Sequence, residues 1–306
     1  MVKVERFFAK PIIFPHMDKR MGDNINGPSI IQMPKWAKKE LGAYHLYFSD
    51  HKGSYIRLAS SDSITGPWEI YSLGALELGD SLFITEDPSD KSLYAHIASP
   101  DVHIDHEKKC FWMYFHGQLE NGDQVTRVAV SKDGISFSVK EAILGPPYFR
   151  AFEYNNWIYA ICWGGEIWRS KDWCSPFEKG PLILPFDNKN INLPSCRHGE
   201  VFLRDSVLHI FFSNIGDKPE KILHTKIDIV SDWKDWKVSL INTIIEPKLA
   251  WEGGNLPLSK SVVGAAETRI RELRDPCVFE DFDEQVYLFY SGSGERSIGV
   301  VKLFNI

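Results

Sequence analysis

The sequence predicts an all-β chain folded as a five-bladed β-propeller of four-stranded antiparallel blades, a single domain over residues 1–306. Three observations predict it. One pattern returns five times in the same order, an aromatic-rich strand, a second strand, then a short segment that opens on an aromatic. Each copy is preceded by one more apolar strand, which makes four per unit and places the first against a central channel. No stretch sustains a 3.6-residue apolar period, so no helix competes.

The first unit reads as an inner strand at 28–33, strands at 43–49 and 55–62, and a closing segment at 66–69. The second takes 96–104, 110–117, 126–133 and 135–137, and the third 148–154, 157–162, 166–172 and 175–178. In these three the third strand ends in Ser-x-Asp, as at Ser131-Lys132-Asp133. The fourth takes 199–203, 207–213, 222–228 and 233–236, the last bounded by Trp233 and Trp236. The fifth has 275–280, 286–292 and 297–303 but no outer strand. The apolar run at 4–14 is expected to supply it, closing the ring and removing an exposed edge. Alternating β-branched and aromatic residues between Gly, Asp and Asn turns mark antiparallel strands. A β-sandwich of short strands is the competing arrangement, though sandwiches seldom repeat so regularly. Two insertions, 73–92 and 244–271, break the rhythm. The second carries Trp251 and Glu252, and a long loop that keeps a Trp is either a functional lid or a loop pinned to the body.

Composition narrows the partners. A formal charge of -6 with scattered Lys and Arg argues against a nucleic-acid surface and leaves a small molecule or oligosaccharide. No apolar run is long enough for a membrane span and the first residues lack a signal-peptide pattern, so a cytoplasmic protein is expected. Five cysteines without a CxxC pair signal neither a zinc site nor a disulfide framework.

Polar residues stand at the start of each inner strand, where a propeller gathers them at one channel mouth. They are Asn26-Gly27-Pro28-Ser29, Ser99-Pro100-Asp101-Val102-His103, Tyr148-Phe149-Arg150, Arg197-His198-Gly199-Glu200 and Arg274-Asp275-Pro276. Carboxyl groups brought together in this way shift one another's pKa, so that one keeps a proton while another stays ionised. That is the equipment for protonating a leaving oxygen and directing a water. Salt bridges across the channel, such as Arg274 with Asp101, are the plainer use of the same residues. For Asp275 a turn cap is another.

With these heads in view, the chain resembles the five-bladed propellers of the family 43 glycoside hydrolases and their relatives, which act on arabinosides, xylosides, fructosides and mannosides. The resemblance implies a general acid Glu, a general base Asp and a second Asp that tunes the acid, each on the inner strand of a different blade. Asp101 matches the second-blade Asp. Glu200 is the candidate acid, although it opens the fourth unit and the family's acid is usually in the third. Gly27-Pro28 replaces the usual first-blade Asp-Pro, so Asp275 or Asp23 would have to serve as base. The family inverts configuration, which implies a water between the carboxyl groups. No cofactor is expected; some relatives hold calcium in the channel through water and a histidine, which points to His198, although the histidines here lack metal-ligand spacing. A saccharide would rest on Tyr148, Trp163 and Trp251 and be gripped by Arg150, Arg197, His198, Glu252 and Arg274. The arginines also suit a substrate bearing a carboxylate or phosphate. The alternative is a propeller that binds a sugar or scaffolds a partner without catalysis. An open gap between two of Asp101, Glu200 and Asp275 favours hydrolysis, and their neutralisation by arginines favours binding.

Overall fold

The computed structural model describes residues 2–185 and 195–306. Strand β1 (Lys3–Glu5) is followed by five meanders. The first is β2 (Asn26–Gln32), β3 (Tyr44–Ser49), β4 (Tyr55–Ser61) and β5 (Glu69–Glu77), and the second β6 (Ile97–Asp105), β7 (Cys110–Gln118), β8 (Gln124–Ser131) and β9 (Ser138–Val139). The third is β10 (Arg150–Tyr154), β11 (Trp157–Ile161), β12 (Glu166–Ser170) and β13 (Glu178–Leu182), and the fourth β14 (Ser195–Arg204), β15 (Val207–Ile215), β16 (Ile222–Asp228) and β17 (Asn242–Ile245). Strands β18 (Leu273–Glu280), β19 (Val286–Gly292) and β20 (Ser297–Phe304) complete the set. They form five four-stranded antiparallel sheets, and the fifth has the order β1-β20-β19-β18. The early strand therefore closes the ring, with Val4 opposite Leu303. Farther along, Ile13 bridges Ile298 and the Phe7 ring meets Tyr287 at 6.1 Å.

Each blade buries both faces, because alternate residues of a strand point to opposite neighbours. Tyr44, Leu46 and Phe48 pack with Tyr287 and Phe289 of the fifth blade, whereas Tyr47 packs with Phe111 and Met113 of the second. The result is five apolar cores, one between each adjacent pair of blades. No helix among the described residues is long and apolar enough to cross a membrane.

Several boundaries differ from expectation. The segment at Trp233–Asp235 is a short 3-10 turn whose Trp233 is buried, and the outer strand of that blade is β17. Propensity favoured the aromatic segment, but its rings are consumed against Tyr159 rather than in a ladder. Strand β5 runs into the first expected insertion, helped by a register shift between Ile56 and Leu58. The inner strands of the first, fourth and fifth blades also begin two to four residues early, because a bulge keeps each polar head inside the ladder.

Candidate active site

The bulges set the geometry of the mouth. Pairing steps from Asn26 to Ser29, from Ala98 to Asp101, from Cys196 to Gly199 and from Arg274 to Cys277 while the partner strand advances by only two residues. Gly27, Ser99 and Asp275 occupy the same place in their blades, each left-handed (φ 58, 50 and 49) and each followed by Pro. Proline is tolerated there because the bulge asks nothing of its missing N–H. A Cβ on Gly27 would come within 3.1 Å of the Ser99 Cα, a tight fit at the head of the first blade.

Below the bulges a belt of side chains stitches the blades together. The thiol of Cys277 accepts from the Ile30 N–H, Ser29 Oγ from the Val102 N–H at 2.9 Å, and Asp101 Oδ2 from the Ala151 N–H at 2.8 Å. Each donor directly follows the next blade's belt residue. Arg150, next in line, has no acceptor to offer, and the stitch becomes electrostatic. Its guanidinium donates to the Pro100 carbonyl at 2.6 Å, lies 3.2 Å from Glu200 Oε2 and 3.9 Å from Asp101 Oδ1. Asp101 also takes His103 Nε2 at 2.8 Å.

One guanidinium faces two buried carboxyl groups, and they divide the charge. Burial works to raise Asp101, but His103, Arg150 and the Ala151 N–H together hold it below the usual carboxylate range. Burial pushes Glu200 up to about 8; Arg150 opposes the rise and the neighbouring Asp101 charge reinforces it. Glu200 thus keeps a proton near neutral pH while Asp101 stays ionised.

Above the belt lies a mouth pocket of about 340 Å³ lined by Tyr148, Trp163, Arg197 and His198, with His51 and Tyr94 opposite. Trp163 is 38% exposed. Tyr148 is sandwiched between His116 and His198, with ring centroids 4.1 and 4.3 Å away. His198 Nδ1 contacts Asp275 Oδ1. Burial would raise Asp275, yet the imidazole and Arg274 hold it low. A larger hollow of about 920 Å³ opens at the opposite end of the channel; His103 is its link to the charged belt.

The structure brings Asp101, Arg150 and Glu200 together in the belt, and Tyr148, Trp163, Arg197, His198 and Asp275 around the mouth. Four expectations are corrected. Arg274 is fully buried against Glu272 at 2.6 Å and Glu295 at 2.7 Å, and Arg197 is held by Glu220 at 2.8 Å, so neither guanidinium is left to grip an anionic substrate. Trp251 lies over Gly292 and Gly299 and stacks on Tyr290 at 5.7 Å, away from the mouth. Glu252 is buried, bonded to Arg6 at 2.9 Å and the Tyr290 hydroxyl at 2.7 Å. Asp23 pairs with Arg296 and is mostly exposed. Among the described residues no three His, Cys, Asp or Glu side chains gather as metal ligands, and calcium asks for six to eight oxygens, so no step below runs through a metal. His51, Glu220 and Glu295 are the residues that sequence reasoning passed over. His103 belonged to the second unit's polar head, and the structure gives it a role there because it stands two residues after Asp101 on the same strand face.

No protein-family model matches the chain. It is 33% identical over 298 residues to "Uncharacterized protein R118" of Acanthamoeba polyphaga mimivirus, covering 92% of this chain and 83% of that protein. Among solved structures it is similar to CoXyl43, a GH43 beta-xylosidase/alpha-arabinofuranosidase from a compost microbial metagenome (TM-score 0.65, 13% identity, 99% of this chain and 96% of the other). It is also similar to a GH43 enzyme from Xanthomonas citri (TM-score 0.61, 13% identity, 96% and 90%) and to an alpha-L-arabinanase of Cellvibrio cellulosa (TM-score 0.57, 11% identity, 91% and 91%). At such identities the likeness to solved structures is one of fold. The chain belongs to the same family as the uncharacterized mimivirus protein, and its fold is the five-bladed propeller seen in family 43 glycoside hydrolases.

Proposed function

We propose that the protein is a glycoside hydrolase that seats the end of a saccharide in the mouth pocket and cleaves its glycosidic bond by acid and base catalysis. The observation that carries this reading is the split between two neighbouring carboxyl groups, Glu200 protonated up to about 8 and Asp101 held ionised. Glu200 gives its proton to the departing glycosidic oxygen. Asp101, whose Oδ2 takes both His103 and the Ala151 N–H, serves to keep Glu200 protonated. The base then belongs to the mouth tier, where Asp275 stands. Trp163, which lines the mouth pocket, offers a ring face to a sugar, while both faces of Tyr148 are covered by His116 and His198. A water that attacks from the face opposite Glu200 makes the reaction inverting. Family 43 structures from the compost metagenome and from Xanthomonas citri are complexes with xylotriose, so neutral pentose oligomers are the first substrates to try. Five unpaired thiols, four of them buried, suit work in the cytoplasm.

The test is a screen of aryl glycosides and short oligosaccharides with wild type beside Glu200→Gln. Turnover of substrates with poor leaving groups should fall roughly 10²–10⁴-fold in the variant. Equal turnover in the two proteins would remove Glu200 from the mechanism. A second reading, a sugar-binding propeller without catalysis, is favoured by one observation: Arg150 spans Asp101 and Glu200 while His198 covers Asp275, so each carboxyl group has a cationic or imidazole partner. Saccharides that raise the melting temperature of a wild type that cleaves none of them would establish that reading instead.

A further inference from the structure

We propose that His198, held by Asp275, is the group that takes the proton of the attacking water, a part that no first-blade carboxylate can play here. This rests on the hydrolase reading above. Gly27, without a side chain, occupies the head of the first blade at φ 58, where a Cβ would lie a tight 3.1 Å from the Ser99 Cα. The matching place in the adjoining fifth blade is held by Asp275, in the same left-handed conformation before a proline. Asp275 is itself only 2% exposed, too deep to meet a water in the pocket. What reaches the pocket is His198, whose Nδ1 rests on Asp275.

With the Asp275 carboxylate against Nδ1, a neutral His198 carries its proton on that nitrogen and its lone pair on Nε2. Tyr148 stacks on the imidazole and is backed by His116, so the ring plane is fixed from one side. The charged and titratable groups around it are Arg197, His51 and Tyr94 in the pocket wall, His116 behind Tyr148, and Glu295 and Arg274 on the far side of Asp275. Arg197 is neutralised by Glu220 and so does not repel an imidazolium. In the step, the water oxygen bonds to the anomeric carbon and its proton passes to Nε2. The glycosidic C–O bond breaks, its electron pair stays with the leaving oxygen, and that oxygen takes the proton of Glu200. Asp275 stabilises the imidazolium until it releases its proton to solvent.

The experiment uses His198→Gln and Asp275→Asn with an aryl glycoside that wild type hydrolyses. His198→Gln should lose roughly 10²–10⁴-fold in kcat with KM little changed. Sodium azide, a nucleophile that needs no deprotonation, should restore turnover and leave as glycosyl azide. Asp275→Asn, a positioning change, should lose about 10²-fold in kcat and respond to azide in the same way. A His198→Gln protein that keeps full turnover overturns the proposal. So does one that melts like wild type yet is not restored by azide. If Glu200→Gln loses activity while both of these variants keep it, the hydrolase reading stands and His198 is removed. A wild type that binds saccharides but cleaves none overturns the hydrolase reading and this assignment with it.

Discussion

Glu200 and Asp101 have the same functional group in two environments, and the difference lies in backbone and neighbours. Asp101 receives an amide N–H and an imidazole, whereas Glu200 receives only the N–H of its own successor, Val201, and a shared guanidinium. This has a consequence for stability. Glu200 is raised in the folded protein from 4.5 to about 8, so its contribution is present in full below its unfolded pKa and is lost as pH rises through about 8. Asp101 and Asp275 are lowered, and their contributions are lost instead as pH falls below the ordinary carboxylate range. Glu200→Gln has no group to ionise at this position. Relative to wild type it should therefore gain unfolding free energy between about pH 5 and about pH 9, as measured by urea titration at both. Equal changes in both proteins would show that Glu200 does not hold its proton in the folded state.

At the scale of the element, the loop between β17 and β18 behaves as two parts. Its first part is fastened. Trp251 fills the space left by Gly292 and Gly299, where a Cβ on Gly299 would lie 2.0 Å from the indole, and those glycines exist to admit the ring. Its second part reaches the mouth, where Val263 and Gly264 line the pocket and the Gly264 carbonyl accepts from Arg274 at 3.1 Å. Trp251→Ala should cost about 3–5 kcal/mol of stability through the cavity it leaves, with saccharide affinity unchanged. Trp163→Ala should do the reverse, weakening saccharide binding with little effect on melting, because its ring is 38% exposed at the rim. Calorimetric titration and thermal melts of the two variants side by side check both statements.

At the scale of the molecule, the ring is closed by chain ends that are far apart in sequence, and the closure is fastened by charge as well as by the β1–β20 ladder. Arg6 reaches the fully buried Glu252 with two nitrogens, and Glu252 also accepts from the Lys248 and Leu249 amides. Arg6→Ala leaves that carboxylate buried without its cation, and urea unfolding should show a loss of about 3 kcal/mol. A variant as stable as wild type would mean that the ladder and apolar contacts suffice. Much of this architecture is legible in the residues. Period-two alternation, five repeats of one strand order and an orphan apolar run before the first repeat give the number of blades, their three inner strands and the closure, because these depend on local pattern and on the need to cover an edge. The positions of Asp101, Glu200 and Asp275 at inner-strand heads follow from the same pattern. Their partners do not. Glu220 and Glu295, which consume Arg197 and Arg274, come from turns with no repeat signature, and Trp251 could be told from a lid residue only by the two glycines it covers. The sequence by itself determines which elements form and which end of each faces the channel, since strand propensity and alternation act over a few residues. Which carboxyl group keeps its proton, which arginine is already neutralised and which imidazole reaches the pocket are decided by tertiary structure, because burial and Coulomb interactions depend on distances between blades.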